Sequence, residues 1–221
     1  MSMSLPPMNV ATGKEITTIF ACYVLGCFTA GYYWVRWRTG HDIRDEGSGN
    51  VGARNVGRLL GSSGFLATLF LDLGKGAFAV GMTVHFAVTP EMQIAAMLAV
   101  VVGHIWPVQL RFHGGKGIAT SLGVLLAYDS FLVVVLVALF LPSFALLRSF
   151  TLSGLLAFAL SPLVAFLCGL ENMEVVAMSL LAVLVLVSHR RNIREEFARR
   201  FPSRAAKAAI SSSASKQDHE L

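Results

Sequence analysis

Long apolar runs fill most of the chain between residues 15 and 188, and short polar stretches separate them. A helix needs about 20 apolar residues to cross the hydrocarbon layer of a membrane, so this pattern predicts an all-α polytopic membrane protein. Seven segments of the chain fit such spans. They are residues 15–35, 64–88, 93–110, 118–128, 131–147, 152–170 and 175–188.

The number of crossings depends on residues 118–147, which contain a polar break at Asp129. A single helix of this length would be about 45 Å long, well beyond the ~30 Å of a hydrocarbon layer. Two shorter crossings put the arginines of every polar stretch on one side, whereas one crossing moves Arg148 and Arg190 to the other side. Because the positive-inside rule favours the first arrangement, we predict seven transmembrane helices, with the N-terminus outside and the C-terminus in the cytoplasm.

The composition agrees with a membrane protein, since 55% of the residues are hydrophobic and only 14% are charged. Most of the basic residues lie in the predicted cytoplasmic stretches, where they set the orientation, so we predict no nucleic-acid partner. The three cysteines fall within apolar runs, and their spacing indicates neither a metal site nor a disulfide framework. We predict one integral-membrane domain in residues 1–200 and a flexible cytoplasmic tail in residues 201–221.

Three polar stretches share the predicted cytoplasmic face: residues 42–58, 103–120 and 188–195. Two of them contain glycine-rich segments, GSGN and GGKG, whose backbone N–H groups are able to line a concavity that holds an anion. GGKG directly precedes an apolar helix, so Lys116 and a helix N-terminus would face the same anion. The pattern indicates a site for one or two phosphates, although a P-loop motif is absent. A single glycine-rich loop is also typical of close helix packing, so this alternative stays open for each loop alone.

Ionisable residues near these stretches have two interpretations each. Asp72 and Lys75 lie one helical turn apart inside the second predicted span, where charges are expensive. They are either a structural pair that neutralises itself or a pair that supports the site. His104 and His189 lie at the ends of predicted helices, and each is either a helix-capping group or a general base or hydrogen-bond donor.

Four segments resemble, in the same order, the motifs of the bacterial acyl-phosphate–glycerol-3-phosphate acyltransferases of the PlsY type. That family has GSGNxGATN, D-x-x-KG, GHxxPxxxxFxGGKGxAT and HRxNIxR. The matching segments are residues 47–55, 72–76, 103–120 and 189–194, and the resemblance extends to about residue 197. The chain departs from the pattern at Arg54, where the family usually has threonine, and in the first span, which reads GCFTAG instead of GSIPFG.

The resemblance implies a multi-pass enzyme of the bacterial inner membrane with its active-site loops facing the cytoplasm. The implied reaction transfers a fatty acyl group from acyl phosphate to the sn-1 hydroxyl of glycerol 3-phosphate, as the first step of phospholipid synthesis. The products are 1-acylglycerol 3-phosphate and phosphate. The enzyme is surrounded by membrane lipid, and the reaction uses no cofactor or metal. The candidate catalytic residues are Lys116, His189, Asn192 and His104, with Asp72 and Lys75 as the supporting charge pair. In the family the substrate's own phosphate is a proposed base, and His189 and His104 are the alternatives to it here. The implied phosphate-binding residues are Ser48, Gly49, Asn50, Gly52, Asn55, Gly114, Gly115, Gly117, Thr120 and Arg190. Arg54, which departs from the pattern, is either an additional phosphate-binding residue or a residue that narrows the pocket.

Two other functions fit the same polar stretches. A transporter for a phosphorylated solute would use similar anion sites, but such proteins often contain internal repeats and place their sites at mid-membrane. No convincing repeat is present, and the polar stretches lie at one face. A non-catalytic scaffold would leave the charged residues at positions 72, 75 and 116 without a purpose.

Overall fold

The computed structural model describes the backbone of residues 12–200 and the side chains of residues 12–196. The predicted tail, residues 201–221, lies outside this part of the chain. Within it, every regular element is helical, with single 3-10 turns at Ile43–Asp45 and Val108–Leu110. The α-helices are α1 Gly13–Cys27, α2 Ala30–Thr39, α3 Ala53–His85, α4 Pro90–Ile105, α5 Ile118–Tyr128, α6 Ser130–Leu147, α7 Phe150–Leu167, α8 Asn172–Ser188 and α9 Arg190–Arg200.

Several of these helices are long and apolar enough to cross a membrane. Among the described residues there are five such segments, or six if α8 and the start of α9 form one broken span. Helix α5 has only 11 residues and is about 16 Å long. The predicted fold class, an all-helical polytopic membrane protein, is therefore confirmed, whereas the seven crossings and their orientation stay predictions. The five segments are Gly13–Thr39, Ala53–His85, Pro90–Leu110, Ser130–Leu147 and Phe150–Leu167.

The first predicted span is not one continuous helix. Phe28 and Thr29 have extended backbone angles, with ψ of 96° and 92°, and they separate α1 from α2. Hydropathy did not indicate this break because apolar residues continue across it. Helix α3 also begins within the stretch expected to be a loop, and a non-helical residue, Gly61, interrupts it with φ 71° and ψ −165°. By contrast, the break predicted at Asp129 is confirmed, since its carboxylate accepts the N–H of Phe131 and caps α6.

Close helix packing holds α1 against α4 and α3 against α5. Gly26 and Gly103 lie where α1 meets α4, and Gly76 and Gly123 lie where α3 meets α5. A Cβ atom on any of these glycines would collide with the backbone of the facing helix. Small residues at such positions let membrane helices approach closely, which is how the bundle gains van der Waals contact in lipid. These four helices form the frame that positions the polar stretches.

A buried carboxylate joins the start of α1 to the start of α4. Glu15 accepts hydrogen bonds from the N–H of Thr12 at 2.7 Å and from its hydroxyl at 2.9 Å. The N–H of Thr89, which caps α4, donates to the same carboxylate at 3.1 Å. Helix N-termini favour negative charge and leave N–H groups without intrahelical acceptors. One side chain therefore caps two helices and fixes their relative register.

Candidate functional site

The first two polar stretches share a small apolar core. Leu110 of the second stretch packs with Val35 of α2 and with Ile43, Val51 and Val56 of the first stretch. All five side chains are buried, with at most 4% of their surface exposed. Burial of this kind fixes the two stretches against each other, so both glycine-rich segments belong to one part of the molecule.

Arg44 ties the same two stretches together, and sequence reasoning missed it because its charge was assigned to orientation. Its guanidinium donates to the backbone oxygen of Leu110 at 3.0 Å and to the carboxylate of Asp42 at 2.6 Å, and it lies over the ring of Tyr32. The guanidinium beside Asp42 holds the pKa of that carboxyl below its usual range. The signal in the sequence was the Asp-x-Arg spacing, which allows a local side-chain pair.

The GSGN segment is built around Asn55. The Oδ1 atom of this buried side chain accepts the N–H of Ser48 at 2.9 Å, and its Nδ2 atom donates to the backbone oxygens of Glu46 at 2.8 Å and Ile43 at 3.3 Å. The amide is thus fully engaged within the stretch. These bonds show that Asn55 shapes the loop, and the phosphate contact predicted for it stays a prediction.

The other predicted residues of this segment lie at or near its tip. Ser48 and Gly49 are exposed, and Asn50 is half-buried. Gly52 is the N-cap residue of α3. The tip is therefore accessible and preformed, as a phosphate-binding role for these residues requires, and that role stays a prediction.

Arg54, the departure from the family pattern, contacts the start of α7. Its guanidinium donates to the hydroxyl of Thr151 at 2.8 Å and lies 5.4 Å from the ring centre of Phe150. Arginine stacks well on aromatic rings while it donates hydrogen bonds in its plane. In this structure Arg54 therefore joins α3 to α7, and its predicted phosphate contact would compete with that link.

The GGKG segment is docked on the end of α4. The N–H of Gly114 donates to the backbone oxygen of Ile105 at 3.1 Å, and the N–H of Gly115 donates to that of His104 at 2.9 Å. These two N–H groups are therefore engaged with α4, and the phosphate contacts predicted for the two glycines stay predictions. Gly115 instead permits close approach, because a Cβ atom there would collide with the imidazole of His104.

Helix α5 begins directly after this segment. Gly117 is its N-cap residue, with a φ of 81° that favours glycine. The first N–H groups of a helix have no intrahelical acceptor, and they attract anions. Lys116 is half-buried beside them, and Thr120 is fully buried in the first turn. The start of α5 and Lys116 thus lie side by side, and their predicted role in binding an anion stays a prediction.

A buried charged cluster lies beneath the GGKG segment. The Nζ atom of Lys75 lies 2.9 Å from Oδ1 of Asp72 and 2.7 Å from Nδ1 of His104. None of the three side chains is more than 5% exposed. The prediction that Asp72 and Lys75 share one buried helix face is confirmed. His104 is not an isolated capping group, since it completes the cluster.

The third polar stretch belongs to a separate compact unit that begins at Val187, and it is described by itself. His189 lies between α8 and α9, and its Nδ1 atom is 3.2 Å from the hydroxyl of Ser188. Arg190 and Asn192 lie in the first turn of α9. The catalytic roles predicted for His189 and Asn192, and the phosphate contact predicted for Arg190, stay predictions. Among the described residues, no group of three or more His, Cys, Asp or Glu side chains is placed to hold a metal ion.

Comparison with known proteins identifies the family. The sequence profile described as glycerol-3-phosphate acyltransferase matches residues 16–199. The chain belongs to this family. Its relatives include glycerol-3-phosphate acyltransferase 1 of Desulfitobacterium hafniense, 42% identical over 182 residues, covering 82% of this chain and 90% of the relative. Another is glycerol-3-phosphate acyltransferase 1 of Bacillus anthracis, 38% identical over 172 residues, covering 77% of this chain and 91% of the relative.

Solved structures agree with this assignment. The chain resembles the crystal structure of PlsY (YgiH), an integral membrane glycerol 3-phosphate acyltransferase, in its glycerol 3-phosphate form. The TM-score is 0.77 and the identity 31%, over 85% of this chain and 94% of the other. The lysophosphatidic acid form gives a TM-score of 0.74 at 29% identity, with the same coverage. The resemblance in the four motifs is therefore confirmed, and the chain is an integral membrane acyltransferase of the glycerol-3-phosphate acyltransferase family.

Proposed function

We propose that this chain transfers a fatty acyl group from an acyl phosphate to the sn-1 hydroxyl of glycerol 3-phosphate. The products are 1-acylglycerol 3-phosphate and inorganic phosphate. The observation that carries the proposal is the GGKG segment, which puts a half-buried lysine, Lys116, directly beside the N-terminus of α5. This combination of a fixed cation and helix N–H groups suits a phosphate.

Glycerol 3-phosphate as the acceptor is supported by the relatives. The PlsY structure that resembles this chain at 31% identity is described as the glycerol 3-phosphate form. The second PlsY structure is described as the lysophosphatidic acid form, and that lipid is the proposed product. In this chain the GSGN tip and the GGKG segment, held together by Arg44 and the core around Leu110, supply the polar groups for two phosphorylated substrates.

An acyl phosphate as the donor fits the chemistry of the described residues. Cys22 and Cys27 are buried in α1 and Cys168 is exposed at the end of α7, and the proposed reaction needs no thiol nucleophile. An acyl phosphate is already activated, and the acceptor hydroxyl attacks its carbonyl carbon while the bond to the phosphate oxygen breaks. Catalysis then depends on positioning the two substrates and stabilising negative charge on the carbonyl oxygen, to which the cation at Lys116 contributes.

We also propose seven crossings in the bacterial inner membrane, with the glycine-rich segments facing the cytoplasm. The cap at Asp129 and the short α5 support this topology, because the chain turns there and α6 begins at once. Helix α5 is only about 16 Å long, about half of the ~30 Å hydrocarbon layer, so it starts well inside the bilayer if it ends at the outer surface. The GGKG segment would then lie in a recess, where a long acyl chain and a water-soluble acceptor are able to meet.

An assay with purified protein tests the proposed activity. We expect 1-acylglycerol 3-phosphate from glycerol 3-phosphate and an acyl phosphate, and no product from acyl-CoA or acyl carrier protein. Lys116→Ala should lose at least 100-fold in turnover, the usual cost of removing one group that stabilises developing negative charge. Lys14→Ala is the matched control, because Lys14 is exposed at the start of α1.

Three results would contradict parts of the proposal. Product formed from acyl-CoA but not from acyl phosphate would overturn the donor. Uptake of labelled glycerol 3-phosphate into liposomes without an acylated product would favour the transporter. Full activity in Lys116→Ala would remove this lysine from the mechanism.

A further inference from the structure

The break between α1 and α2 exposes backbone oxygens that other elements must satisfy. The last carbonyl groups of a helix have no intrahelical donor, and water is scarce inside a membrane bundle. Gln109, from the second polar stretch, donates its side-chain amide to the oxygen of Cys27. Lys75, from α3, donates to the oxygens of Phe28 at 2.8 Å and Gly26 at 3.4 Å. A single lysine therefore bonds two of these three oxygens.

The same ammonium group reaches His104. An ammonium has three N–H donors and no acceptor. Its nearest partners besides Asp72 are Nδ1 of His104 at 2.7 Å and the oxygen of Phe28 at 2.8 Å, and the oxygen of Gly26 is a longer contact at 3.4 Å. Asp72 supplies the opposite charge, 2.9 Å from the ammonium. The direct approach between Asp72 and Nδ1 is longer, at 3.5 Å, so the lysine is the main partner of this imidazole nitrogen.

This contact fixes the proton of His104. With Lys75 as an ammonium, balanced by Asp72 at 2.9 Å, the lysine has no acceptor, so Nδ1 accepts with its lone pair and a neutral imidazole carries its proton on Nε2. That nitrogen faces the GGKG segment, since a Cβ atom on Gly115 would collide with it. The backbone of His104 is bound to the same residue, through the N–H of Gly115 at 2.9 Å. Gly115, the residue before Lys116, therefore contacts both the ring and the backbone of His104.

We infer that Lys75 is a positioning residue that sets the α1–α2 break and the Nε2–H tautomer of His104 at once. Through that ring it fixes the height and orientation of the GGKG segment, and so of Lys116. With Nδ1 engaged and Nε2 protonated, His104 is not the general base of the reaction, and it acts as the support of the loop. The kinetic part of this inference rests on the proposed function, whereas the tautomer does not.

Nitrogen NMR of His104 tests the tautomer directly. The protein is labelled with ¹⁵N-histidine and purified in lipid nanodiscs, and the His104 signals are assigned by their loss in His104→Gln. We expect an unprotonated Nδ1 and a protonated Nε2 at neutral pH, and a mixture of tautomers in Lys75→Met. A protonated Nδ1 in the unmodified protein would overturn the inference. This measurement needs no activity, so it stays valid if the proposed donor or acceptor is wrong.

Kinetics of two His104 variants separate support from base catalysis. In His104→Gln the amide oxygen is able to accept from Lys75 while the amide N–H faces Gly115, so we expect kcat to stay within about tenfold of the unmodified protein. In His104→Leu both contacts are lost, and we expect a loss of about 100-fold, the cost of misplacing a catalytic group by about 1 Å. If Gln were as damaging as Leu, the support role would be wrong, since loss of a general base costs roughly 100- to 10,000-fold.

Lys75→Met should raise the KM for glycerol 3-phosphate and lower kcat together, because the whole GGKG segment moves. Thr83→Val is the matched control on the same helix, where it removes the part-buried hydrogen bond that the amide of Gln93 donates to the Thr83 hydroxyl. It lies eight residues from Lys75, about 12 Å along the helix, and we expect unchanged kinetics. Unchanged kinetics in Lys75→Met, with the protein folded, would overturn the role of the lysine.

Discussion

Replacing Asn55 by alanine tests whether this residue shapes the GSGN segment or contacts phosphate. The substitution removes two hydrogen bonds of ordinary length, 2.8 and 2.9 Å, and a weaker one of 3.3 Å. A hydrogen bond within a protein contributes about 1 kcal/mol, and an unsatisfied buried partner adds to the loss. Ile43 is fully buried, so its backbone oxygen loses a donor without gaining water easily. We estimate that closing of the segment weakens by about 2–3 kcal/mol in total.

Hydrogen exchange measures this loss where it occurs. Every 1.4 kcal/mol corresponds to a factor of ten, so amide exchange across residues 43–55 should accelerate by about 30- to 150-fold. Asn55→Asp should be at least as harmful, because it places a carboxylate oxygen against two backbone oxygens. Asn50→Ala is the control, since its amide makes none of these contacts, and it should leave exchange in the segment nearly unchanged. Loss of activity in Asn55→Ala with normal exchange would refute the shaping role and favour direct phosphate contact.

Further substitutions test the bundle, the topology and the departure from the family. Glu15→Gln should lower the free energy of unfolding by about 1–3 kcal/mol, since a carboxylate that caps two helices becomes a neutral amide; Glu91→Gln is the control in thermal unfolding, and equal shifts would contradict the double cap. A membrane-impermeant maleimide should label Cys168 on intact cells, and Ser48→Cys only after permeabilisation; the opposite order would refute the proposed orientation. Arg54→Thr should retain acyltransferase activity within about tenfold, because Arg54 is engaged with α7 and its predicted phosphate contact would have to replace that link. A loss of 100-fold or more would restore the phosphate contact.

Acidification tests the link between the two glycine-rich stretches. Arg44 lowers the pKa of Asp42 from its ordinary value. A carboxyl whose pKa is lower in the folded state contributes stability above its unfolded pKa of about 3.9, and this stability is lost only as the pH falls through the folded value. The contribution of the pair to hydrogen-exchange protection around Leu110 should therefore stay constant between about pH 5 and 8. In Asp42→Asn the protection should be lower throughout that range, and equal protection would refute the role of the pair.

The sequence was sufficient for the features that depend on local rules. Apolar runs of spanning length predicted the helices, and the break at Asp129 followed from the length of residues 118–147 and the positive-inside rule. The pairing of Asp72 with Lys75 followed from helical spacing alone. The motifs also predicted the family, because four segments match its pattern in the same order.

Features that depend on contacts between distant residues were not accessible in the same way. The break after Cys27 has no local signal, because the donors that stabilise it, Lys75 and Gln109, lie 47 or more residues away from the oxygens they bond. Likewise, the engagement of Arg54 with Thr151 joins residues 97 positions apart. A hydropathy profile treats each of these residues separately, so neither contact was predictable from it.

The glycines of GGKG show why composition alone leaves two roles open for them. A glycine-rich segment permits two different things, exposure of N–H groups to an anion and close approach of one backbone to another. Gly114 and Gly115 use the second, because α4 ends just where their N–H groups find acceptors in Ile105 and His104. The start of α5 and Lys116 are then the groups of this segment that we expect to bind an anion. The position of the segment consequently depends on His104 beneath it. The position of the His104 ring depends in turn on Lys75, which contacts its Nδ1 atom.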